Sequence, residues 1–347
     1  MPAISIDTFF ACSLLVSVAL LATASLAGTM QDRLTAMQDL NKDDYLRNIA
    51  EHLVTSCGTP VDWGSAGTVP SSLGLADSES SYLYELDIDK ISSLNNENSY
   101  ALSYAQASAS ARLNNIALGI SVSQMLSITT TLSANSSLGD ETAYTFEISV
   151  SQASGPTSAT LQCYVVTEDS VNAISNTTSN AGVGYITVQI LNASNGPALL
   201  VVFARATFDD RITAYETYSF AHLSQEPSPN HTFLGLSPLN STLSVEENFP
   251  DVTVEHGYAF SYAYQSNLTS TSASTYAIPE FVDNSPTVLV ISAVNDTTPF
   301  VEWTAYPDIP LDFGSDFENA ERNVFVYTVL VKGALYKLTL SFGDVIQ

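Results

Sequence analysis

The sequence predicts an α+β protein: one long N-terminal α-helix, then a mostly antiparallel β-sandwich region made of one or two immunoglobulin-like sandwiches. Two observations predict this class. An uncharged, mostly apolar run extends from Thr8 to Met30, and an amphipathic, proline-free pattern continues to about Ser56. From Ile116 onward, apolar and polar residues alternate in short segments separated by polar turns.

The same patterns predict four parts of the chain. Residues 1–56 form the helix, and residues 57–115 form a turn-rich connector with short helices. A β-sandwich domain occupies 116–225. Residues 226–347 form either a second sandwich or the second half of the same one, because a polar, proline-rich stretch separates the two regions.

The N-terminal segment admits three interpretations. A helix of about 50 residues is about 75–80 Å long, so it exceeds the ~30 Å hydrocarbon core of a bilayer. The sequence Cys57-Gly58-Thr59-Pro60 ends it, since glycine suits a helix C-terminus and proline cannot continue a helix. The segment is a secretory signal peptide, a single-pass anchor, or a helix that leaves the membrane to pack with copies of itself. A signal peptide fits less well, because no basic residue precedes the apolar run.

The β region contains recognisable strand patterns and one hairpin. A hairpin is predicted around Lys332-Gly333. The strand segments are Ala143–Ser151, Ala159–Val166, Tyr185–Leu191, Leu199–Ala206, Val252–Tyr264, Thr287–Val294 and Val324–Phe342.

Charge and composition exclude some partners. The chain has 10 Lys+Arg against 36 Asp+Glu, a formal net charge of −26. Nucleic acid and anionic membrane surfaces attract basic patches, so nucleic acid is excluded as a partner. The surface is rich in Ser and Thr and poor in Lys, which is commoner outside cells than inside.

No catalytic motif, cofactor fingerprint or metal-ligand spacing is present, so the sequence predicts no enzyme, no cofactor and no metal. The acidic residues Asp308, Asp312, Asp316 and Glu318 offer oxygen ligands for Ca²⁺, but they lack a calcium-loop spacing and are interpreted as a solvated loop. Cys57 and Cys163 are candidates for a disulfide outside the cytosol; two separate buried thiols are the alternative.

Seven N-x-[ST] sequons are candidate glycosylation sites, and all lie in the β region. They are Asn135, Asn176, Asn192, Asn230, Asn240, Asn267 and Asn295.

Three segments resemble a known family. The N-terminus Ala3-Ile4-Ser5-Ile6-Asp7-Thr8-Phe9-Phe10, followed by the apolar helix, is similar to archaeal type IV pilin-like proteins of the class III signal-peptide family. The segment from Cys57 to Gly64 and the two segments Leu73–Asp77 and Leu86–Ile91 extend the resemblance over about the first 100 residues. The departure is that no leader with a basic cleavage site stands in the sequence.

The resemblance implies a structural subunit of an extracellular, type IV pilus-like filament that serves adhesion or contact at the cell surface. The chain would be inserted in the membrane before assembly and would then form a homopolymer, with N-terminal helices as the core and glycosylated β domains outside. The residues expected to act in the core are Asp7, Phe9, Phe10, Leu14, Leu15, Leu20 and Leu21. The alternative is a membrane-anchored surface binding protein or minor adhesin, whose surface or host ligand the sequence does not name.

Overall fold

A computed structural model describes residues 6–113, 116–315 and 322–344. Three helices are present in the described chain, and their bounds are α1 Ile6–Thr55, α2 Ile88–Ser92 and α3 Tyr104–Ser110. Within α1, nothing is described of the side chains of residues 6–12, 19, 22, 27–29 and 31–41.

Twenty strands account for most of the rest. They are β1 Ile116–Gln124, β2 Ser127–Ser137, β3 Glu141–Gln152, β4 Gly155–Pro156, β5 Ala159–Val166, β6 Val171–Thr177, β7 Val183–Leu191, β8 Gly196–Ala206, β9 Thr213–His222 and β10 Leu234–Leu239. They continue as β11 Thr242–Glu247, β12 Val252–Phe260, β13 Gln265–Asn267, β14 Thr269–Ser272, β15 Thr275–Ala277, β16 Thr287–Asn295, β17 Thr298–Tyr306, β18 Leu311–Gly314, β19 Arg322–Val331 and β20 Ala334–Asp344.

The strands form five four-stranded antiparallel sheets. Two sheets have the orders β6-β5-β8-β9 and β13-β12-β16-β17. A third has β2-β3-β4, with β7 also paired to β3, and a fourth has β10-β11-β15-β14. The fifth joins one early strand to three late ones in the order β18-β1-β20-β19.

Three hydrophobic clusters lie between the sheets in the described part of the chain. One lies between β2-β3-β7 and β5-β8-β9, with Phe146 and Cys163 fully buried in it. A second lies between the sheets that contain β11 and β16, around Leu243 and Ile291. A third joins the other faces of β8 and β16, through residues such as Phe203 and Val290. We call the pair of sheets around the first cluster the first sandwich, and the pair around the second cluster the second sandwich. The third cluster joins the two sandwiches.

Burial explains the two kinds of strand pattern in the sequence. Strand β7 alternates buried and exposed residues, because only one of its faces meets the core. Strand β8 lies between two clusters, so its first nine residues, from Gly196 to Ala204, form one continuous buried run.

The predicted hairpin around Lys332-Gly333 is confirmed. Val331 pairs with Ala334, so β19 and β20 are joined by a two-residue loop. Lys332 and Gly333 have φ angles of 46° and 80°, the positive values that a type I′ turn requires.

The predicted α+β class with a pilin-like layout is wrong, because the protein is mostly β. Fold class follows from the elements that build the core, and the three clusters consist mostly of strand residues. Helices α2 and α3 are short, with five and seven residues.

The predicted membrane-inserted helix is also wrong. Among the described residues, no helix combines the length and the apolar content that crossing a bilayer requires. Small and hydroxyl-bearing residues such as Ser13, Ser17 and Thr23 dilute the apolar run. The descriptions of the chain as a transmembrane pilin, and as a cell-surface filament subunit inserted in a membrane before assembly, are corrected accordingly.

The chain divides into two compact units, Met1–Ala50 and Glu51–Gln347. The first consists of most of α1. The second contains the last turn of α1, the connector and all five sheets. The predicted boundary at about 225 falls in the loop between β9 and β10.

Candidate functional site

Large apolar side chains are exposed along α1. Leu14, Leu15, Leu20 and Leu21 were predicted to act in assembly, and their side chains are 64–72% exposed. Four further residues, which the prediction did not single out, are 58–61% exposed: Val16, Val18, Leu26 and Met30. They lie in the same uncharged run, which was the signal that could have identified them. We call these eight residues the apolar helix surface.

The remaining predicted assembly residues cannot be placed in this way. Asp7, Phe9 and Phe10 belong to the backbone span of α1, but their side chains lie outside the described residues. Their roles stay predictions.

Two hydroxyls beside the apolar helix surface are satisfied inside the helix itself. Ser17 Oγ donates to the carbonyl oxygen of Ser13 at 2.9 Å, and Thr23 Oγ1 donates to that of Leu20 at 2.9 Å. Because these bonds need no water, covering this part of the helix leaves neither hydroxyl without a partner.

Cys57 and Cys163 are both free in the structure, so the candidate disulfide between them is not formed there. Cys163 points from β5 into the core of the first sandwich, whereas Cys57 follows α1 and is half-buried. Burial raises the pKa of the Cys163 thiol to about 12. A thiol of that kind stays protonated and unreactive at neutral pH.

The seven sequons fall into two structural groups. In three of them the asparagine side-chain nitrogen already donates to a backbone carbonyl: Asn176 to Tyr185, Asn192 to Gly139 and Asn230 to Trp303. Asn230 is held most fully, since its Oδ1 also accepts from the Trp303 backbone N–H at 2.9 Å. The second group contains the asparagines without such a side-chain bond among the described residues. Of these, Asn135, Asn240 and Asn267 are exposed and Asn295 is half-buried.

A buried polar cluster, which sequence reasoning missed, joins the connector to the second sandwich. Oδ1 of Asp89 accepts from the Tyr306 hydroxyl at 2.5 Å and from the Asn240 backbone N–H at 2.7 Å. Beside it, Nζ of the fully buried Lys90 donates to the Ala76 carbonyl at 2.8 Å and lies 3.5 Å from Asp87. In the sequence, the Leu86–Ile91 segment was named only for its resemblance to the pilin-like family, and its charged residues were assigned no role.

The pKa shifts in this cluster favour a structural role, in which it holds the connector against the second sandwich. Burial raises the pKa of Tyr306, and the negative charge of Asp89 raises it further. Burial also raises the pKa of Asp87, and Lys90 counteracts that rise. The phenol therefore stays a neutral donor to Asp89.

A second carboxylate, the half-buried Asp308, belongs to the acidic segment that was considered for Ca²⁺. Asp308 accepts from the Tyr215 hydroxyl at 3.0 Å and from the Asn95 side-chain nitrogen at 3.1 Å. Burial raises the pKa of Asp308, and the Tyr215 hydrogen bond partly offsets that effect. Asp312 is exposed in β18, and Asp316 and Glu318 lie outside the described residues. Within the described part of the chain, no set of three or more His, Cys, Asp or Glu side chains is placed to hold a metal ion.

The comparisons with known proteins do not show a family for this chain. No family model matches the chain, and no curated protein matches it. One solved structure with a weak likeness is human GIVD cytosolic phospholipase A2, with 8% sequence identity and a TM-score of 0.16. The alignment covers 67% of this chain and 33% of the phospholipase, so the chain spans about a third of that protein's length.

Proposed function

We propose that the chain is a non-enzymatic structural subunit that assembles with copies of itself through α1. The observation that supports this proposal is the apolar helix surface, whose eight side chains are 58–72% exposed. Such side chains are normally covered, because exposed apolar patches of this kind mark interaction sites.

The distribution around the helix favours several copies over two. Successive residues of an α-helix are about 100° apart, so Leu14 and Leu21 share one side while Val16 and Met30 lie near the opposite side. A helix with apolar side chains all round is typically enclosed, whereas a one-sided stripe suits a single partner. We therefore expect a bundle in which each α1 is surrounded by others.

The free energy available from covering these side chains is of the same size as the cost of association. Fully burying a Val, Leu or Met side chain contributes about 1.5–3 kcal/mol. Even half-burial of all eight would supply roughly 6–12 kcal/mol per helix on that scale, which is comparable to the ~4–15 kcal/mol that association costs in lost motional freedom. Each additional neighbouring helix covers more of these side chains and makes the free energy of association more favourable.

The test is the assembly state of the full chain, measured by sedimentation velocity over a range of concentrations. Leu14→Glu/Leu21→Glu places two charges on one side of α1 and is expected to shift the protein to smaller species. The matched control is Leu138→Glu/Leu191→Glu, since both leucines are also more than half exposed but lie in the β region. The proposal is wrong if the parent is monomeric throughout, or if both double variants assemble like the parent.

A further inference from the structure

Strand β19 forms an open edge of the fifth sheet. That sheet has the order β18-β1-β20-β19, so β19 has a strand neighbour on one side, β20. The register between them runs without a bulge from Arg322 to Val331. On the outer side, the Leu330 N–H donates to the Tyr84 carbonyl at 3.0 Å, and the Leu330 carbonyl accepts from the Leu86 N–H at 2.8 Å. One end of this edge is therefore already paired with another segment of the chain.

The rest of the edge presents backbone groups without partners. In an antiparallel ladder, the backbone groups that point to one side recur at every second residue. Because those of Leu330 point away from β20, those of Thr328, Val326 and Val324 do too. These outward groups accept and donate no backbone hydrogen bond within the described chain. We call Val324, Val326 and Thr328 the free edge of β19.

The side chains of the free edge are exposed and uncharged. Val324 is 45% exposed, Val326 is 57% exposed, and Thr328 is also exposed. The segment 323–331 contains no charged residue and no proline, although the chain carries 36 Asp+Glu. Natural proteins usually protect an edge strand with lysine, proline or a bulge. This described segment has none of the three, so it is open to the addition of another strand.

The free edge is complementary to itself. When two copies meet antiparallel on a two-fold axis at Val326, that residue lies opposite its own counterpart, and Val324 lies opposite Thr328. All of these positions point outward in both copies. Each residue pair can therefore exchange both of its N–H···O bonds, as hydrogen-bonded pairs of an antiparallel sheet do.

Charge complementarity favours a second copy on this edge. Glu85 is bridged to Leu330, so in this register Arg322 of each copy comes beside Glu85 of the other copy. Arg322 is exposed and makes no ion pair within the described chain, and Glu85 is half-buried. Pairing thus places opposite charges together at both ends of the contact. Elsewhere the net charge of −26 opposes the approach of another copy.

We propose that the free edge of β19 pairs with the same edge of a second copy and joins their two four-stranded sheets into one antiparallel sheet. The contact is separate from the assembly proposed for α1 and does not depend on it. The paired segment is short, so the dimer is weak and forms at high protein concentration.

The first test is disulfide cross-linking in the Leu14→Glu/Leu21→Glu chain, in which association through α1 is weakened. Opposite residues of a hydrogen-bonded antiparallel pair have Cα atoms about 5.5 Å apart, a distance that a disulfide can bridge. Val326→Cys is therefore expected to give a covalent dimer on mild oxidation. The same chain without an added cysteine shows the background from the native thiols.

Lys337→Cys is the matched control for cross-linking. Lys337 is exposed in the same sheet and lies opposite Thr328. It belongs to β20, which has a strand on each side, so edge pairing keeps the two Lys337 positions apart. We expect little covalent dimer from this variant.

The second test is sedimentation velocity in the same Leu14→Glu/Leu21→Glu chain. Val326→Pro removes an N–H that points away from β20, so it spares the ladder of the monomer and should weaken dimerisation about tenfold or more. Val326→Lys places two like charges opposite each other and should act in the same direction. Its control is Val282→Lys, because Val282 is 79% exposed in a loop and the change in net charge is the same.

Three results would overturn the proposal. One is a chain that stays monomeric at every concentration, which would leave the edge for a strand of another protein. Another is equal cross-linking of Val326→Cys and Lys337→Cys. The third is a dimer that both Val326→Pro and Val326→Lys leave unchanged. Because association through α1 is weakened in every sample, a failure of the α1 proposal does not alter these readouts.

Discussion

The Tyr306 hydroxyl donates a 2.5 Å hydrogen bond to Asp89, which lies 217 residues earlier in the chain. Asp89 is in α2 of the connector, and Tyr306 ends β17 of the second sandwich. Both side chains are buried, so this bond fixes where the connector meets the sheets.

We predict that Tyr306→Phe lowers the free energy of unfolding by about 1–3 kcal/mol, because it leaves a buried carboxylate one donor short. Chemical denaturation measures this change. The control is Tyr185→Phe. The Tyr185 hydroxyl, on the exposed face of β7, donates a similar hydrogen bond of 2.9 Å to Glu147 of β3. The control should cost less than about 1 kcal/mol, as exposed pairs do. Equal losses of unfolding free energy in the two variants would show that the hydrogen bond between Tyr306 and Asp89 has no special structural importance.

We predict a pH dependence of stability that originates at Asp308. Burial raises the pKa of Asp308 in the folded state, so the stability it contributes is fully present below the unfolded pKa of about 4 and is lost as pH rises through the folded value. Asp308→Asn removes the titrating group. The unfolding free energy of the parent minus that of this variant should therefore fall with rising pH.

Tyr215→Phe provides the opposite check at the same site. The Tyr215 hydroxyl lowers the pKa of Asp308 by donating to it, so removing the hydroxyl should move the pH-dependent loss to higher pH. Denaturation curves measured across a pH series test both variants. A difference between the parent and Asp308→Asn that does not vary with pH would contradict this account.

We predict unequal glycosylation at the seven sequons. The nitrogen and the oxygen of the Asn230 side-chain amide are both hydrogen-bonded to the Trp303 backbone. A glycan on the side-chain nitrogen would disrupt this pair of bonds. Asn135 and Asn267 are exposed and free of that constraint. Mass spectrometry of glycopeptides from the native protein should find glycans at Asn135 or Asn267 and none at Asn230. A fully occupied Asn230 would contradict the prediction.

We predict slow, separate reactivity of the two described cysteines. Cys163 is buried with a pKa raised to about 12, whereas Cys57 is half-buried. In the folded protein a thiol reagent should modify Cys57 first, and Cys163 only after unfolding. The masses of reduced and non-reduced protein should be equal after correction for the label. A mass difference of one disulfide would restore the predicted pairing.

Much of the strand order follows from local patterning. The segment Ala159–Val166 coincides with β5, and Thr287–Val294 lies within β16, because alternation and β-branched residues report burial directly. The hairpin at Lys332-Gly333 follows from turn chemistry alone. These features depend on neighbouring residues and are readable from the sequence.

Features that depend on distant pairing were not readable. The bond between Asp89 and Tyr306, and the sheet that joins β1 to β20, bring together residues more than 200 positions apart. Cys163 was a candidate for a disulfide because sequence spacing does not show where a side chain points. In the structure the Cys163 side chain points into the core. The α+β class was wrong because a long apolar run dominated the sequence, although strands build the core.

The most direct test of self-assembly through α1 is hydroxyl-radical footprinting of the full chain at low and high concentration. Leu14, Leu21 and Met30 report the apolar helix surface, and Leu138 and Leu191 serve as internal references in the β region. We predict that the first three become protected as concentration rises while the references stay equally reactive. Unchanged reactivity of Leu14, Leu21 and Met30 at concentrations where sedimentation shows assembly would contradict the central claim.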